Sequence, residues 1–305
     1  MRDTFAQAFY DEAQINPKLF LVVADISPAS KISNFKQEFP TRFIDVGVAE
    51  QTMIGLAAGL ALRGCKPFAY TIANFSIYRP FEQVRDDLCY QNLPVTVVGM
   101  GAGITYSPLG ATHHTIEDVA VMSAIPNMSI LAPCDPSEVT SAVGAAARHN
   151  GPIYLRLGKS GEPNLTAQAE AFEFGKVRQI RPGRDVAILS YGPIAKMAMD
   201  LAEVLEREQG RSSAVFSVHT LKPLDTNRIA NILNTYPHVV VIEEHVYRGG
   251  LGAQVKQVAW DARARCRLQT FSLKDEFLHV YGSYDDIRRS HGLSVEQIYP
   301  ALSRV

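Results

Sequence analysis

The sequence predicts an α/β protein of two domains, each a mostly parallel sheet flanked by helices. The chain has 305 residues, more than a single hydrophobic core usually organises. Short, continuous apolar runs alternate with helical patterns, which is typical of parallel sheets covered on both faces. A long stretch rich in Gly, Pro and polar residues, Gly158 to Asp185, interrupts this alternation. We therefore expect a first domain at 1–165, a linker at 166–184 and a second domain at 185–305.

Six apolar runs predict the strands of the first domain, with helices between them. Asp135 has the position of an N-cap, with Pro136 in the first turn and Glu138 three residues after the cap. A similar helix start is expected at Thr115, and the small apolar residues that follow Glu50, "TMIGLAAGLAL", predict a buried helix. The six predicted strands are Leu19–Ile26, Arg42–Gly47, Lys66–Ile72, Val95–Met100, Ser129–Pro133 and Pro152–Leu157.

The same alternation predicts the second domain. The helix periodicity of "PIAKMAMDLAEVLERE" separates apolar runs that are expected to form parallel strands. Those runs are "DVAILSYG", "SAVFSVHTLKP", "HVVVIEEH" and "RLQTFSLKD".

Composition and charge exclude several classes of function. The net charge is −1, so no basic surface is expected that would hold nucleic acid or an anionic membrane. The four cysteines, Cys65, Cys89, Cys134 and Cys266, form no C-x-x-C pair and indicate neither a zinc site nor a redox pair. No apolar run approaches the roughly 20 residues that cross a bilayer, and the N-terminus lacks a signal-peptide pattern. We expect a cytoplasmic protein.

Glu50 is the first candidate for chemistry. It follows the strand predicted to end near Gly47, and ligands of parallel α/β sheets gather at the carboxyl ends of the strands. A carboxylate in a buried helix needs a partner or a proton. The alternative is that Glu50 only complements the dipole at the start of a helix.

Aromatic and histidine side chains provide further candidates. Phe75, Tyr78 and Phe81 are three residues apart, which places them on one side of a helical turn, either as core residues or as a surface for a flat ligand. The adjacent loop residues His113 and His114 have no further metal ligands at suitable spacing, which disfavours a metal site. They either act in acid–base catalysis or are two solvated histidines of a loop.

The glycine-rich segments match no common nucleotide motif. Neither "GMGAGITYSPLG" nor "RGGLGAQ" fits G-x-G-x-x-G, which disfavours a nicotinamide dehydrogenase. The sequence also contains neither a P-loop nor the G-x-S-x-G of hydrolases.

Several segments, in order, resemble the C-terminal half of transketolase. They are "DVGVAEQ", "AAGLAL", "TIANFSIYRPFEQVR", "GATHHTIEDVAVMSAIPNMSILAPCDPSE", "LKPLD" and "GGLGAQ", and together they span nearly the whole chain. The resemblance implies a pyrimidine-binding domain followed by a transketolase C-terminal domain. The sequence is similar, less closely, to 1-deoxyxylulose-5-phosphate synthase and to the β chain of 2-oxo acid dehydrogenases.

The resemblance implies a thiamine diphosphate site. Glu50 matches the catalytic glutamate that shares a proton with the aminopyrimidine ring. Phe75 matches the aromatic that stacks on that ring, and Tyr78 and Phe81 match other aromatics of the pocket. Asp25 matches an aspartate near the cofactor.

The resemblance also implies a substrate site. His113 matches a catalytic, substrate-facing histidine, and Arg2 and Lys159 match arginines that hold the substrate phosphate. Lys keeps the charge but not the bidentate geometry of Arg. Leu109 stands where the family has an acid that binds a sugar hydroxyl, and Gly101 where it has a histidine, so the pocket is expected to be less polar.

A partner subunit is the last implication. The chain has no G-D-G…N segment for Mg²⁺ and the diphosphate, which the N-terminal half of fused transketolases supplies. We therefore expect no metal site in this chain, an N-terminal transketolase subunit as partner and an α2β2 heterotetramer. The implied activity is ketol transfer from a ketose, phosphorylated or not, to an aldehyde. The alternatives are a synthase-like or dehydrogenase β-type subunit and a non-catalytic partner.

Overall fold

The computed structural model describes residues 1–26, 30–166 and 169–303. Within these residues the strands form one sheet of seven strands and one of five. Both sheets are mostly parallel and packed against helices, so the predicted fold class is confirmed. No helix in the described ranges combines the length and apolarity that crossing a bilayer requires.

The first sheet contains β1 (Leu19–Val23), β2 (Phe43–Asp45), β3 (Lys66–Ile72), β4 (Thr96–Met100), β5 (Ser129–Leu131), β6 (Ile153–Leu157) and β10 (Thr220–Lys222). Their order is β10-β5-β6-β4-β3-β1-β2, and only β10 pairs antiparallel. After β1 the chain adds β2 on one side and then returns to place β3 on the other side of β1. Strand order therefore reverses between β1 and β3, and ligands of open α/β sheets bind at such a point.

The second sheet contains β7 (Arg178–Arg181), β8 (Val186–Ser190), β9 (Ser213–Ser217), β11 (His238–Val246) and β12 (Arg267–Leu273). Their order is β12-β11-β8-β9-β7. The antiparallel edge strand β7 lies inside the stretch that the sequence predicts as a loop, and β10, from the later part of the chain, completes the first sheet. The two sheets are thus connected by more than one crossing of the chain.

Helices cover the sheets. In the first half they are α1 (Arg2–Ile15), α2 (Ser30–Glu38), α3 (Glu50–Leu62), α4 (Ala73–Ile77), α5 (Phe81–Gln83, followed by a π-helical stretch Val84–Tyr90), α6 (Asp118–Ser123) and α7 (Pro136–Arg148). In the second half they are α8 (Ala195–Gln209), α9 (Thr226–Thr235), α10 (Leu251–Asp261), α11 (Tyr284–Ser290) and α12 (Val295–Ser303). One face of the first sheet packs on α1, α2 and α7, while the core beneath α3 and α6 continues into the second sheet.

Helix α3 is less buried than its sequence predicts. Met53 and Ala57 face the core, but Gly59 and Leu62 are exposed. A Cβ added at Gly55 or Gly59 would meet no atom within 4 Å. The prediction of a buried helix is therefore confirmed for the inner face and wrong for the outer face, because apolar residues cover both faces. Such an outer face is suited to contact with another chain.

Two predicted boundaries differ from the structure. The helix expected to start at Thr115 begins at Asp118, because Thr115 is extended and exchanges two backbone hydrogen bonds with Gly103. Strand β1 ends at Val23, before the predicted Ile26, because Asp25 has a φ of 42° that an extended strand does not accommodate.

The predicted N-cap at Asp135 is confirmed. Its buried carboxylate accepts a hydrogen bond from the backbone N–H of Glu138 at 2.8 Å. The second oxygen accepts from the backbone N–H of Leu165 at 2.8 Å and of Thr166 at 2.9 Å, and from the Thr166 hydroxyl at 2.8 Å. The cap therefore also anchors the segment that leads to the second sheet.

We expect Asp135→Ala to lower the free energy of unfolding by about 3–5 kcal/mol, because several buried donors lose their acceptor at once. Urea unfolding measures the change. Ser283 caps α11 at the surface, and Ser283→Ala should cost only about 1 kcal/mol. Equal losses in the two variants would contradict the anchoring role of Asp135.

Candidate active site

The candidate site lies where strand order reverses. The Asp45 carboxylate at the end of β2 accepts hydrogen bonds from the backbone N–H groups of Asp25, at 3.2 Å, and Gly47, at 3.0 Å. These bonds join the turns that follow β1 and β2. Gly47 has a φ of 70°, a conformation that glycine adopts without strain, and the turn then leads into α3 at Glu50. Asp25, predicted near the cofactor, is exposed at this edge of the sheet.

Glu50 is a buried carboxylate with a cationic partner. Its side chain is 5% exposed, and both of its oxygens accept hydrogen bonds from Nη1 of Arg79, at 3.0 and 3.1 Å. Arg79 itself is 52% exposed and follows α4. Arg79 lies in the segment "TIANFSIYRPFEQVR", but no spacing rule links it to Glu50, which is 29 residues earlier in the chain.

Phe75 connects this ion pair to the loop that carries His113 and His114, the histidine loop. The guanidinium of Arg79 lies 4.4 Å from the centroid of the Phe75 ring. The His113 ring meets the same phenylalanine edge to face, with centroids 5.3 Å apart. The Asn74 side-chain amide donates to the backbone carbonyls of Thr112, at 2.6 Å, and His114, at 3.1 Å. The structure thus brings Glu50, Phe75 and His113 into one group, held by the loop contacts of Asn74.

Tyr78 and Phe81 do not share these contacts. The helix α4 ends at Ile77 and Phe81 begins α5, so the spacing of three residues does not continue on one helix. The Tyr78 hydroxyl donates to Glu117 at 2.8 Å, and burial raises the pKa of that phenol. Both aromatic rings pack against the core beneath α3.

Arg2 and Lys159 lie next to each other, on the far side of Tyr106 from His113. The backbone N–H of Arg2 donates to the Lys159 carbonyl at 3.3 Å, and the Lys159 ammonium lies 5.0 Å from the Tyr106 ring centroid. Tyr106 lies between these cations and His113, and the ring centroids of Tyr106 and His113 are 6.4 Å apart. Burial raises the pKa of the Tyr106 phenol, and the positive charge of Arg2 opposes that rise. The two predicted phosphate-binding residues are therefore neighbours.

Tyr106 also explains why position 101 is glycine. A Cβ on Gly101, whose φ is 72°, would lie 1.9 Å from the Tyr106 ring. Tyr106 therefore fills the space into which a histidine would project. Leu109 is 46% exposed on the same loop, so an apolar side chain stands at the position where the family resemblance implies an acid.

A buried ion pair between Arg156 and Asp118 lies in the core next to the candidate site. Arg156 on β6 donates to Asp118 at 2.7 Å, and the Tyr154 hydroxyl donates to the same oxygen at 2.8 Å. A second guanidinium nitrogen of Arg156 donates to the Glu244 carbonyl on β11 at 3.0 Å. Because both charges are buried, the pair fixes the start of α6 relative to the second sheet.

The described parts of the chain contain no group of three or more His, Cys, Asp or Glu side chains placed to hold a metal ion.

Comparisons with known proteins identify the family. Residues 1–163 match the family described as "Transketolase, pyrimidine binding domain", and residues 175–298 match "Transketolase, C-terminal domain". The chain belongs to the transketolase family. Its relatives include a subunit of an apulose-4-phosphate transketolase from Actinobacillus succinogenes, which is 33% identical over 98% of this chain and 96% of the relative. A 6-deoxy-6-sulfo-D-fructose transketolase subunit, SqwH, of a Clostridium species is 34% identical over 100% of this chain and 94% of the relative.

Solved transketolase structures agree with the fold. A split-gene transketolase, described as an inactive beta4 tetramer, superimposes with a TM-score of 0.90 at 34% identity, covering 99% of this chain and 97% of the other. A transketolase from Pichia stipitis gives a TM-score of 0.78 at 21% identity, covers 99% of this chain and 45% of that one, and shares the fold.

Membership of the transketolase family implies dependence on thiamine diphosphate, and the site residues fit the cofactor. A buried carboxylate beside an aromatic face suits a flat, nitrogen-containing ring that can both stack and hydrogen-bond. Because the carboxylate is paired with a half-exposed arginine, another donor can take that place.

We expect His113 to be neutral at pH 7, because burial lowers its pKa below the ordinary value of 6.5. The unfolded chain then takes up a proton before the folded chain does. Stability should therefore decrease as the pH falls below about 6.5. An NMR titration of the ring protons, assigned with His113→Gln, gives the midpoint. A midpoint above 6.5 would contradict the arrangement.

Proposed function

We propose that this chain is the C-terminal subunit of a two-component, thiamine-diphosphate-dependent transketolase. It transfers a two-carbon ketol unit from a ketose donor to an aldehyde acceptor. The observation that carries this proposal is the buried Glu50 carboxylate at the reversal of strand order, grouped with Phe75 and His113. The similarity over nearly the full length to proteins named as transketolase subunits supports it.

Each side chain has a defined task in this proposal. When bound, thiamine diphosphate supplies a nucleophilic carbon and an electron sink for the two-carbon fragment. The Glu50 carboxylate shares a proton with a ring nitrogen of the cofactor, which is favourable because water is nearly excluded there. Phe75 stacks on the same ring, with Tyr78 and Phe81 supporting the pocket and Asp25 at its edge.

His113, Arg2 and Lys159 form the part of the site that binds the substrate. His113, with its lowered pKa, is a neutral imidazole that hydrogen-bonds a substrate oxygen. Arg2 and Lys159 bind an anionic end of the substrate, and Tyr106 separates them from the histidine. Leu109 makes the mouth of the site less polar and favours a substrate without a hydroxyl at the corresponding position.

A second candidate is a synthase that joins a decarboxylated donor to an aldehyde. A 1-deoxy-D-xylulose-5-phosphate synthase of Acidobacterium capsulatum is 31% identical over 99% of this chain, which spans 48% of that relative. Release of carbon dioxide from pyruvate in the presence of an aldehyde would favour this reaction. Release of a shortened aldose from a ketose would favour ketol transfer.

The partner in this proposal is an N-terminal transketolase subunit that holds Mg²⁺ and the diphosphate, in an α2β2 assembly. Gly55 and Gly59 lie on the outer face of α3, where an added Cβ would meet no atom of this chain within 4 Å, so another chain can approach the backbone closely. Two of the relatives are named as transketolase subunits, which supports a separate partner. The four cysteines are free thiols, which supports a reducing, cytoplasmic location.

We expect Glu50→Ala to reduce ketol transfer at least about 100-fold without loss of assembly, because proton sharing with the cofactor ring is removed. The assay uses the co-purified complex with thiamine diphosphate and Mg²⁺. Glu82→Ala, at an acid on α5 outside the site, is the control and should keep full activity. Full activity in Glu50→Ala would refute the assignment.

We expect Gly59→Trp to fold normally but to fail to assemble, because its side chain points to open space in this chain and into the partner in the complex. Thermal unfolding of the isolated chain and light scattering of the co-expressed pair measure the two effects. Glu203→Trp, on the exposed face of α8, should assemble normally. A complex of full size with Gly59→Trp would show that α3 is not at the interface.

A further inference from the structure

Arg79 makes two contacts that the proposed function assigns to the cofactor ring. Its guanidinium donates to both oxygens of Glu50, at 3.0 and 3.1 Å, and lies 4.4 Å from the centroid of Phe75. A guanidinium is a planar group that donates hydrogen bonds from its edge and stacks with its face. An aminopyrimidine ring is also planar, and it would need the same carboxylate and the same aromatic face.

We propose that Arg79 competes with the cofactor's pyrimidine ring and closes the site until the cofactor displaces it. This inference rests on the proposed function, since it uses the same Glu50 and Phe75. Both groups cannot lie on Phe75 and bond Glu50 at once. Cofactor binding therefore requires Arg79 to release the carboxylate and swing toward solvent.

The position of Arg79 permits such a movement. The side chain is 52% exposed, and within residues 1–26, 30–166 and 169–303 its guanidinium is held by Glu50 and Phe75. It lies between the end of α4 at Ile77 and the start of α5 at Phe81, so rotation of the side chain alone removes it. No helix or strand has to be rearranged.

The ion pair also has a reason to exist before the cofactor binds. A carboxylate that is 5% exposed is costly without a counter-charge. In the described part of the chain, the ion-pair partner of Glu50 is Arg79. It stabilises the carboxylate inside the site, and its exposed end keeps the interaction weak enough to be exchanged.

The competition should have a measurable size. A closed population reduces the apparent affinity of a ligand by the fraction of chains that are open. One ion pair with an exposed arginine and one cation–π contact together favour the closed form by a factor of about five to ten. Removing the guanidinium should strengthen cofactor binding by about that factor.

Calorimetric titration of the co-purified complex with thiamine diphosphate and Mg²⁺ tests the proposal. Arg79→Gln should lower the apparent Kd about fivefold or more. Arg85→Gln removes an equal charge from an exposed arginine close by in sequence that pairs with Asp86, and it should leave the Kd unchanged. An unchanged or higher Kd in Arg79→Gln would overturn the proposal, because Arg79 would then be no competitor of the cofactor.

Chemical labelling gives a second readout that does not depend on affinity or activity. Phenylglyoxal modifies exposed guanidinium groups, and mass spectrometry locates the modified residue. In the wild-type complex, adding thiamine diphosphate and Mg²⁺ should increase the modification of Arg79 and leave Arg85 unchanged. Protection of Arg79 by the cofactor would overturn the proposal.

Failure of this inference can be separated from failure of the proposed function. If Glu50→Gln keeps full cofactor binding and turnover, the site assignment itself is wrong. If Glu50→Gln loses turnover while Arg79→Gln binds the cofactor no more tightly than wild type, the site stands and only the competition is refuted.

Discussion

A buried carboxylate has to have a partner, and the site is arranged around that requirement of Glu50. Water is nearly excluded at its position, so the cost of its charge is met by hydrogen bonds from Arg79. Because water does not compete there, the carboxylate can share a proton strongly with a nitrogen of a bound heterocycle. A residue at the surface of the same helix would be solvated and would have little influence on a bound ring.

The topology of the first sheet, with two tying side chains, sets the positions of the site residues. Strand order in the first sheet reverses between β1 and β3, and the turns after β1 and β2 are tied together by Asp45. Helix α3 starts from this edge, which sets Glu50 against the segment carrying Phe75 and Arg79. The histidine loop is then held to that segment through Asn74. Hydrogen bonds made by Asp45 and Asn74 thus join turns and loops that are far apart in sequence.

The second half of the chain supplies few residues of the candidate site, but its contacts hold the site loops in place. Arg156 pairs with Asp118 and also donates to the Glu244 carbonyl on β11, so one buried guanidinium joins the two sheets. The Glu244 carboxylate accepts from the Ile104 backbone, near the start of the loop that carries Tyr106 and His113. Buried charges of this type hold a geometry because breaking one partner leaves the other unpaired. This contact holds Ile104, two residues before Tyr106, against β11.

The fold class, most strands, the Asp135 cap and the candidates Glu50, Phe75 and His113 could all be predicted from the amino-acid sequence. Local periodicity and ordered motifs carry that information, because each depends on residues close together in the chain. Which side chains meet became known only from the folded chain: Arg79 on Glu50, Tyr106 in the space beside Gly101, and Arg156 beneath Asp118. The fold also leaves α3 with an uncovered face, since an apolar sequence does not say which chain covers it. Those contacts depend on how distant segments pack, and no local pattern of residues encodes them.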